Sequence, residues 1–296
     1  MSTTAENSRR TTIQVNGLQI RAVVRPGRGR LASQPPLLLC NGIGASIEVL
    51  QPFVDALDPD RGVIRFDVPG VGGSSVPRRP YRLAMLAPWV ASMVEELGYS
   101  RFDVLGLSWG GALAQQLAVQ RRDRVRRLVL VATGTGTVMV PAHPRVLSKM
   151  LTPRRHRDVD YARHIAAEIY GGTMRTHPER AARLLHAGTP TPSRRGYYLQ
   201  LAAAAGWCSL PFLRFVRQPT LVLAGDDDPI IPLVNAKVLA RLIPGARLHV
   251  YSGGHLGILT ESAELAPLVD GFLSDENLAD EIPIARSGTP DSMRKG

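Results

Sequence analysis

The sequence predicts an α/β fold in which helices cover a mostly parallel, eight-stranded sheet. Short β-rich apolar runs alternate with helical stretches along most of the chain. The later runs, such as Leu128–Ala132, are almost continuously apolar, which is typical of strands that are buried on both faces of a sheet. One long interval, 134–217, contains no convincing strand and predicts a helical insertion into this pattern.

Turn-forming residues mark the boundaries of the predicted strands. Between the first two stands Asn16-Gly17, a pair that favours a tight hairpin and therefore an antiparallel start to the sheet. The predicted strands are Thr12–Val15, Gln19–Val24, Pro36–Cys40, Gly62–Phe66, Phe102–Leu107, Arg127–Ala132, Thr220–Ala224 and Ala246–Tyr251.

Helices are predicted between these strands, and the long interval adds more. The helices expected on the sheet are Ser46–Leu57, Leu83–Leu97, Trp109–Arg121, Leu233–Ile243 and Ala263–Leu273. The interval Gly134–Arg217 contains the helical segments Asp160–Tyr170 and Tyr197–Ala205. We therefore expect a first core part (1–133), a helical lid (134–217), a second core part (218–274) and a polar, frayed tail (275–296).

Composition excludes several classes of protein. The chain has 296 residues, of which 44% are hydrophobic, so it can bury a large core and is not a disordered chain. Two Cys make no disulfide framework, and no Cys or His pair has metal-ligand spacing, so no metal site is expected. The polar start lacks a secretory signal, and no run approaches the roughly 18 apolar residues of a transmembrane segment. These features predict a cytoplasmic protein.

A serine motif follows the fifth predicted strand. Gly106-Leu107-Ser108-Trp109-Gly110 fits the pattern G-x-S-x-G, which also arises by chance, so its surroundings decide its meaning. An apolar run precedes it and a good helix start follows it. A tight turn between a strand and a helix projects a serine hydroxyl clear of the sheet edge, which predicts Ser108 as a nucleophile.

The partners of such a serine are found after later strands, in the chain order of an acid and then a histidine. A serine hydroxyl needs a base to take its proton and a carboxylate to orient that base. His255 stands on a Gly-rich turn after the last strand and is the predicted base. Of three consecutive acids after the seventh strand, we choose Asp228, the last before a proline, whereas Asp226 or Asp227 caps the turn or faces solvent.

Acyl transfer also needs donors for the oxyanion that develops on the carbonyl oxygen. One is the backbone N–H of Trp109, directly after the nucleophile. The other is expected in the loop Asn41–Gly44 after the third strand, as the backbone N–H of Ile43.

Together these motifs resemble the α/β-hydrolase superfamily, across all but the termini of the chain. Asp67–Ser74 resembles its D-x-P-G-x-G-x-S loop. Asn41 replaces the histidine of many hydrolases. The chain also resembles, more narrowly, the intracellular medium-chain-length poly(3-hydroxyalkanoate) depolymerases, in the segments Asn41–Ala45, Phe66–Ser75, Ser108–Gln116, Pro219–Val234, Val138–Pro141, Ile169–Gly172 and Gly196–Leu201.

The resemblance implies a serine esterase that acts on storage-polyester granules, with Ser108, Asp228 and His255 as its triad. Its mechanism requires no metal and no organic cofactor. A small-molecule carboxylesterase, lactonase or thioesterase on the same fold remains open. Polyester synthases carry Cys at the elbow, whereas Cys40 and Cys208 lie elsewhere and are expected in the core. A complete triad also disfavours a non-enzymatic granule-coat protein.

The basic excess is confined to one segment. The chain carries 36 Lys and Arg against 25 Asp and Glu, a net charge of +11. Residues 134–217 hold 13 of these cations and 4 of the acids, and therefore contribute +9. The lid is expected either to face an anionic partner, such as a granule surface or product carboxylates, or to be a plain basic surface. The dense run Arg121–Arg127 bridges a helix end and a buried strand and is interpreted as a solvated turn, and no nucleic acid is expected.

Overall fold

The computed structural model describes residues 8–186 and 193–278. It confirms the mostly parallel, eight-stranded sheet, in the spatial order β1-β2-β4-β3-β5-β6-β7-β8. β1 pairs with β2 and β2 with β4 in antiparallel fashion, and all later pairings are parallel. The strands are β1 (Arg9–Val15), β2 (Leu18–Arg25), β3 (Leu37–Cys40), β4 (Val63–Phe66), β5 (Phe102–Leu107), β6 (Val125–Val131), β7 (Thr220–Gly225) and β8 (Arg247–Tyr251).

The predicted hairpin joins β1 to β2. Asn16 and Gly17 have φ angles of 50° and 73°, so both adopt the left-handed conformation that a two-residue hairpin turn requires. Val15 pairs with Leu18 directly across the turn. The register of the two antiparallel strands therefore follows from these two residues.

Helices cover both faces of the sheet. Side chains of β3 alternate between the two sides, so that Leu38 joins the apolar cluster of one face and Leu39 that of the other. The first cluster includes residues of the second, third and eighth helices, and the other includes residues of the first and tenth. These helices are α1 (Gln51–Ala56), α2 (Leu83–Glu96), α3 (Trp109–Gln120), α8 (Leu233–Leu242), α9 (Gly257–Thr260) and α10 (Ser262–Ser274).

The segment between β6 and β7 is helical where the structure describes it. Its helices are α4 (Pro144–Met150), α5 (Val159–Tyr170), α6 (Glu179–His186) and α7 (Arg194–Ala204). The sequence predicted α5 and α7 but missed the two shorter helices, which span only seven and eight residues. Both α5 and α6 bury apolar residues in the cluster that also contains α1 and α10.

The interpretation of Arg121–Arg127 as a solvated turn is wrong for its end. β6 begins at Val125, and both Arg126 and Arg127 are buried on it. Two hydrogen bonds, of 2.9 and 2.6 Å, join the Arg126 guanidinium to the buried carboxylate of Asp103. Arg127 donates to the carbonyl oxygen of Phe272. The partners come from distant parts of the chain, so the local charge run did not reveal them.

Two further predictions concern cysteines and membrane spans. Cys40 is buried as expected, and burial raises the pKa of its thiol. Cys208 is only half-buried, so the expectation of a core residue is wrong for it.

Of the helices in the described ranges, none has the length and apolar composition to cross a bilayer. The predicted tail 275–296 lies outside the described residues from residue 279 onward.

Candidate active site

Ser108 occupies a sharp turn between β5 and α3. Its φ angle of 54° lies in the left-handed region, which is strained for a residue with a side chain. A Cβ atom at Gly110 would lie 2.0 Å from the carbonyl oxygen of Cys40, and one at Gly106 would lie 2.3 Å from the carbonyl oxygen of Gly110. The two glycines of the motif are therefore required by close backbone contacts around the serine.

Asp228 and His255 lie side by side after β7 and β8. The Asp228 Oδ2 atom is 2.8 Å from the His255 Nδ1 atom, and both side chains are buried. The other carboxylate oxygen accepts hydrogen bonds of 2.9 Å from the backbone N–H groups of Ile230 and Ile231. These bonds fix the carboxylate in the orientation that holds the imidazole by Nδ1 and leaves Nε2 for a substrate or a serine.

The two neighbouring acids have different partners. Asp226 accepts a hydrogen bond from the backbone N–H of Gly253 and so supports the histidine loop. Asp227 forms two hydrogen bonds of 2.6 Å with the Arg175 guanidinium, which lowers the pKa of this carboxyl group. Of the three consecutive acids, the structure brings only Asp228 to the histidine.

The insert also supports the histidine loop. The backbone N–H of His255 donates to the carbonyl oxygen of Tyr170 at 2.7 Å. A Cβ atom at Gly254 would lie 2.0 Å from the same oxygen, so glycine is needed for this close approach. The end of α5 therefore positions the backbone that carries the imidazole.

The loop after β3 is held by buried side chains. Asn41 binds its own loop twice, accepting from the backbone N–H of Gly42 at 2.8 Å and donating to the carbonyl oxygen of Ser46 at 2.7 Å. The backbone N–H of Gly44 donates to the side-chain oxygen of Gln200 at 2.8 Å. The indole N–H of Trp109 donates to the backbone carbonyl of Gln200 at 2.9 Å. Gln200, on α7, thus contacts both segments that are predicted to supply oxyanion donors.

The loop after β4 is hydrogen-bonded to the loop after β3. The buried carboxylate of Asp67 accepts hydrogen bonds from the backbone N–H groups of Ile47 and Gly73, at 2.9 and 2.8 Å. Burial raises the pKa of this carboxyl group. The D-x-P-G-x-G-x-S motif accordingly links the loops that follow β3 and β4.

Three of the five predicted site residues line one cavity. Ser108, Ile43 and His255 all line it, while Trp109 directly follows the serine. The sequence did not reveal the contribution of the insert, which adds apolar side chains and two basic ones. The insert residues on the cavity are Met150, Arg155, His156, Tyr170 and Leu185.

His156 is a buried neighbour of the predicted oxyanion loop. Its ring packs on Gly44, the residue that follows Ile43. Burial, and then the nearby charge of Arg155, lower the pKa of this imidazole well below its ordinary value. His156 is therefore neutral in the folded protein near pH 7.

The residues described offer no candidate metal centre. Across 8–186 and 193–278, no group of three or more His, Cys, Asp or Glu side chains is arranged to hold a metal ion. The chemistry that the described residues themselves offer is that of an oriented imidazole beside a strained serine and backbone N–H donors.

The chain is similar to known hydrolases in both sequence and structure. A family model described as alpha/beta hydrolase fold matches residues 35–262. A poly(3-hydroxyalkanoate) depolymerase from Ectopseudomonas oleovorans is 49% identical over 266 residues, which cover 90% of this chain and 92% of that protein. A 2-hydroxymuconate semialdehyde hydrolase from Pseudomonas putida is 30% identical, covering 73% and 78% respectively. A solved hydrolase from Pseudomonas aeruginosa PA01 superposes with a TM-score of 0.74 at 27% identity, covering 91% of this chain and 99% of that one.

Proposed function

The chain belongs to the α/β-hydrolase family, and from that premise we propose that it is a serine esterase that cleaves medium-chain-length poly(3-hydroxyalkanoate). One observation carries the proposal. The paired Asp228 and His255 share a site with Ser108, in a chain that is similar to a poly(3-hydroxyalkanoate) depolymerase along nine-tenths of its length. The polyester is the substrate that this likeness supports.

The proposed reaction proceeds through an acyl-enzyme. His255 takes the proton of Ser108, whose Oγ atom attacks the carbonyl carbon of an ester bond in the polymer. The backbone N–H groups of Ile43 and Trp109 bind the oxyanion, and the latter lies at the positive end of α3. His255 gives its proton to the leaving alkoxide, while Asp228 stabilises the imidazolium. Water then releases a 3-hydroxy acid or oligomer by the same steps.

The insert, residues 134–217, is the proposed lid of this site. It supplies part of the cavity wall, and it carries seven of the twelve large hydrophobic side chains that are exposed among the described residues. They are Val138, Val140, Leu147, Leu151, Val159, Tyr198 and Phe215. Exposed apolar groups beside excess positive charge suit contact with a coated granule, which would place the protein at granules in the cytoplasm. Binding to isolated granules that weakens with salt is the expected result.

A small-molecule carboxylesterase, lactonase or thioesterase is the second candidate. The observation that favours it is the contribution of the insert residues Met150 and Leu185 to the cavity that holds Ser108. A wall shared between lid and core suits a small ester, which can be enclosed completely.

Activity on polymers separates the two candidates. Purified protein and its Ser108→Ala variant are tested on suspensions of short-chain and medium-chain polyesters and on soluble p-nitrophenyl esters. We expect the wild-type protein to release acid from the medium-chain polymer and the variant to be inactive on every ester. Cleavage of soluble esters with the polymers left intact would support the second candidate. Undiminished activity in the variant would contradict the serine mechanism.

A further inference from the structure

Arg155 places a buried positive charge on the wall of the candidate active site. It lies in a short 3₁₀ turn of the insert, Pro153–His156, and its relative exposure is 2%. Its side chain lines the same cavity as Ser108 and His255. A guanidinium stays charged at any pH at which proteins fold, so this cation cannot be neutralised by losing its proton.

Within the described part of the chain, the polar groups that accept from this guanidinium are uncharged. Its Nη1 atom donates to the hydroxyl of Tyr197 at 2.7 Å and to the carbonyl oxygen of Thr152 at 3.5 Å. The hydroxyl of Tyr170 is a further polar neighbour. A phenol or a carbonyl accepts a hydrogen bond but supplies no negative charge.

No carboxylate balances Arg155 within the described residues. It takes part in none of the ion pairs found there, whereas the adjacent Arg154 pairs with Asp158 on the surface. No Asp or Glu lines the cavity either. The internal residues 187–192, which are not described, contain no acidic residue. Burying a cation without a counter-charge is costly, and proteins usually provide one.

The second basic residue that the insert places on the cavity does not compete for an anion. His156 is neutral near pH 7, and its Nε2 atom is buried without a hydrogen-bond partner. Arg155 is therefore the one permanently charged side chain among the described residues that line this cavity. A guanidinium in a pocket that no carboxylate lines suits a carboxylate ligand, which it can bind through two parallel hydrogen bonds.

We propose that Arg155 binds the free carboxylate at the acid end of a 3-hydroxyacyl chain and thereby presents the last ester bond to Ser108. The identity of this substrate rests on the proposed function. In such a chain only the ester oxygen and two carbon atoms separate the reacting carbonyl carbon from the carboxylate carbon. Both groups can therefore occupy one cavity.

The cleavage step then has a defined leaving group. Ser108 Oγ bonds to the carbonyl carbon, the carbon–oxygen bond of the ester breaks, and His255 transfers the serine proton to the departing oxygen. The leaving group is a 3-hydroxy acid whose carboxylate is held by Arg155. Water hydrolyses the remaining acyl-enzyme, so the polymer is shortened by one unit from its acid end.

The test compares two dimers of a medium-chain 3-hydroxy acid, one with a free carboxylate and one as the methyl ester. We expect the wild-type protein to favour the free acid in kcat/KM by about 10- to 100-fold, the usual range for a hydrogen bond to a charged group. Arg155→Met should abolish this preference, and Arg155→Lys should retain part of it. Arg154→Met, the matched control on the surface, should keep the wild-type ratio.

Inhibition by the product gives a readout that does not depend on polymer cleavage. 3-Hydroxyoctanoate should inhibit the hydrolysis of a p-nitrophenyl ester competitively, and Arg155→Met should raise the inhibition constant about 10- to 100-fold. The charge-retaining lysine variant and the wild-type comparison keep the test valid if Arg155→Met does not fold.

The possible failures are distinguishable. Equal rates of the wild-type protein on both dimers, with polymer still degraded, would overturn the role of Arg155 and leave the proposed function intact. Polymer and both dimers left uncleaved beside hydrolysed p-nitrophenyl esters would overturn the proposed function. In that case, product inhibition that weakens in Arg155→Met would still support a carboxylate site at Arg155.

Discussion

The side-chain oxygen of Gln200 accepts a hydrogen bond of 2.8 Å from the backbone N–H of Gly44. The two residues belong to the insert and to the loop after β3, and they are 156 positions apart in the chain. Because the acceptor must be an oxygen, this contact fixes the orientation of the amide. The same residue accepts from the indole of Trp109, so one residue of the insert supports both sides of the proposed oxyanion hole.

Gln200→Met should lower turnover more than it lowers stability. The substitution leaves the Gly44 N–H without an acceptor and lets the neighbouring Ile43 N–H move. We expect kcat on a p-nitrophenyl ester to fall about 10- to 100-fold, whereas complete removal of an oxyanion donor costs about 10²–10³. Gln116→Met is the matched control, because Gln116 is buried and accepts a hydrogen bond from Trp207. A control that loses as much kcat would show a general packing effect.

Asp228→Asn should inactivate the protein, and Asp227→Asn should not. Loss of the carboxylate beside His255 allows the wrong tautomer of the imidazole, and such a change lowers kcat about 10⁴-fold in a serine protease. Asp227 lies next to it but pairs with Arg175 at the surface, where an ion pair contributes about 0–1 kcal/mol. Rates on a soluble ester and urea unfolding of both variants test this. Equal losses of activity would refute the assignment of Asp228.

The sheet, and the position of His255 beside Asp228, were predictable because their signals are local. The strands could be predicted because each is a short apolar run between turns or helical stretches. The Ser108 turn could be predicted because the motif G-x-S-x-G stands between an apolar run and a helix start. Asp228 and His255 could be placed because each follows a parallel strand, and the carboxyl ends of such strands meet at one edge.

The contribution of the insert was not predictable in the same way. Gln200, Arg155 and His156 reach the site from short helices and turns whose packing depends on partners far along the chain. The helical period of α5 indicates which of its side chains are buried, as at Ala162, Ile165 and Ile169, but no such period covers Arg155 and His156, which lie in a short 3₁₀ turn. The basic excess indicated this segment but did not single out Arg155. What distinguishes Arg155 from the other basic residues is that it is buried and has no carboxylate partner among the described residues.

Gly110→Ala should prevent the elbow from forming, and a second glycine provides the contrast. The added Cβ atom would lie 2.0 Å from the Cys40 carbonyl oxygen, which is a backbone atom and cannot move away without distorting the chain. We expect the free energy of unfolding to fall by at least about 3 kcal/mol and the activity to be lost. At Gly271, on α10, no atom lies within 4 Å of the new Cβ, so alanine should stabilise the protein by about 0.5–1 kcal/mol. Urea denaturation measures both effects, and a stable, active Gly110→Ala variant would contradict the elbow geometry.

His156 should make the folded protein acid-sensitive. Burial, with the charge of Arg155 as the second cause, lowers the pKa of its imidazole in the folded state. The unfolded chain therefore binds a proton at His156 below about pH 6.5, while the folded protein does not. The stability from this group is complete above that pH and is lost as the pH falls toward the folded-state pKa. The free energy of unfolding should decrease by up to about 1.4 kcal/mol for each pH unit in this range.

Substitution isolates this contribution. His156→Gln removes the titrating group, so its unfolding free energy should depend less steeply on pH between about 6.5 and 5 than that of the wild-type protein. His164→Gln is the matched control, because His164 is exposed on α5, and its slope should equal that of the wild type. The slope is compared rather than the absolute stability, since the loss of packing at His156 shifts every point of the curve alike. An unchanged slope in His156→Gln would show that His156 takes up its proton equally in both states, which is incompatible with a neutral, buried imidazole beside Arg155.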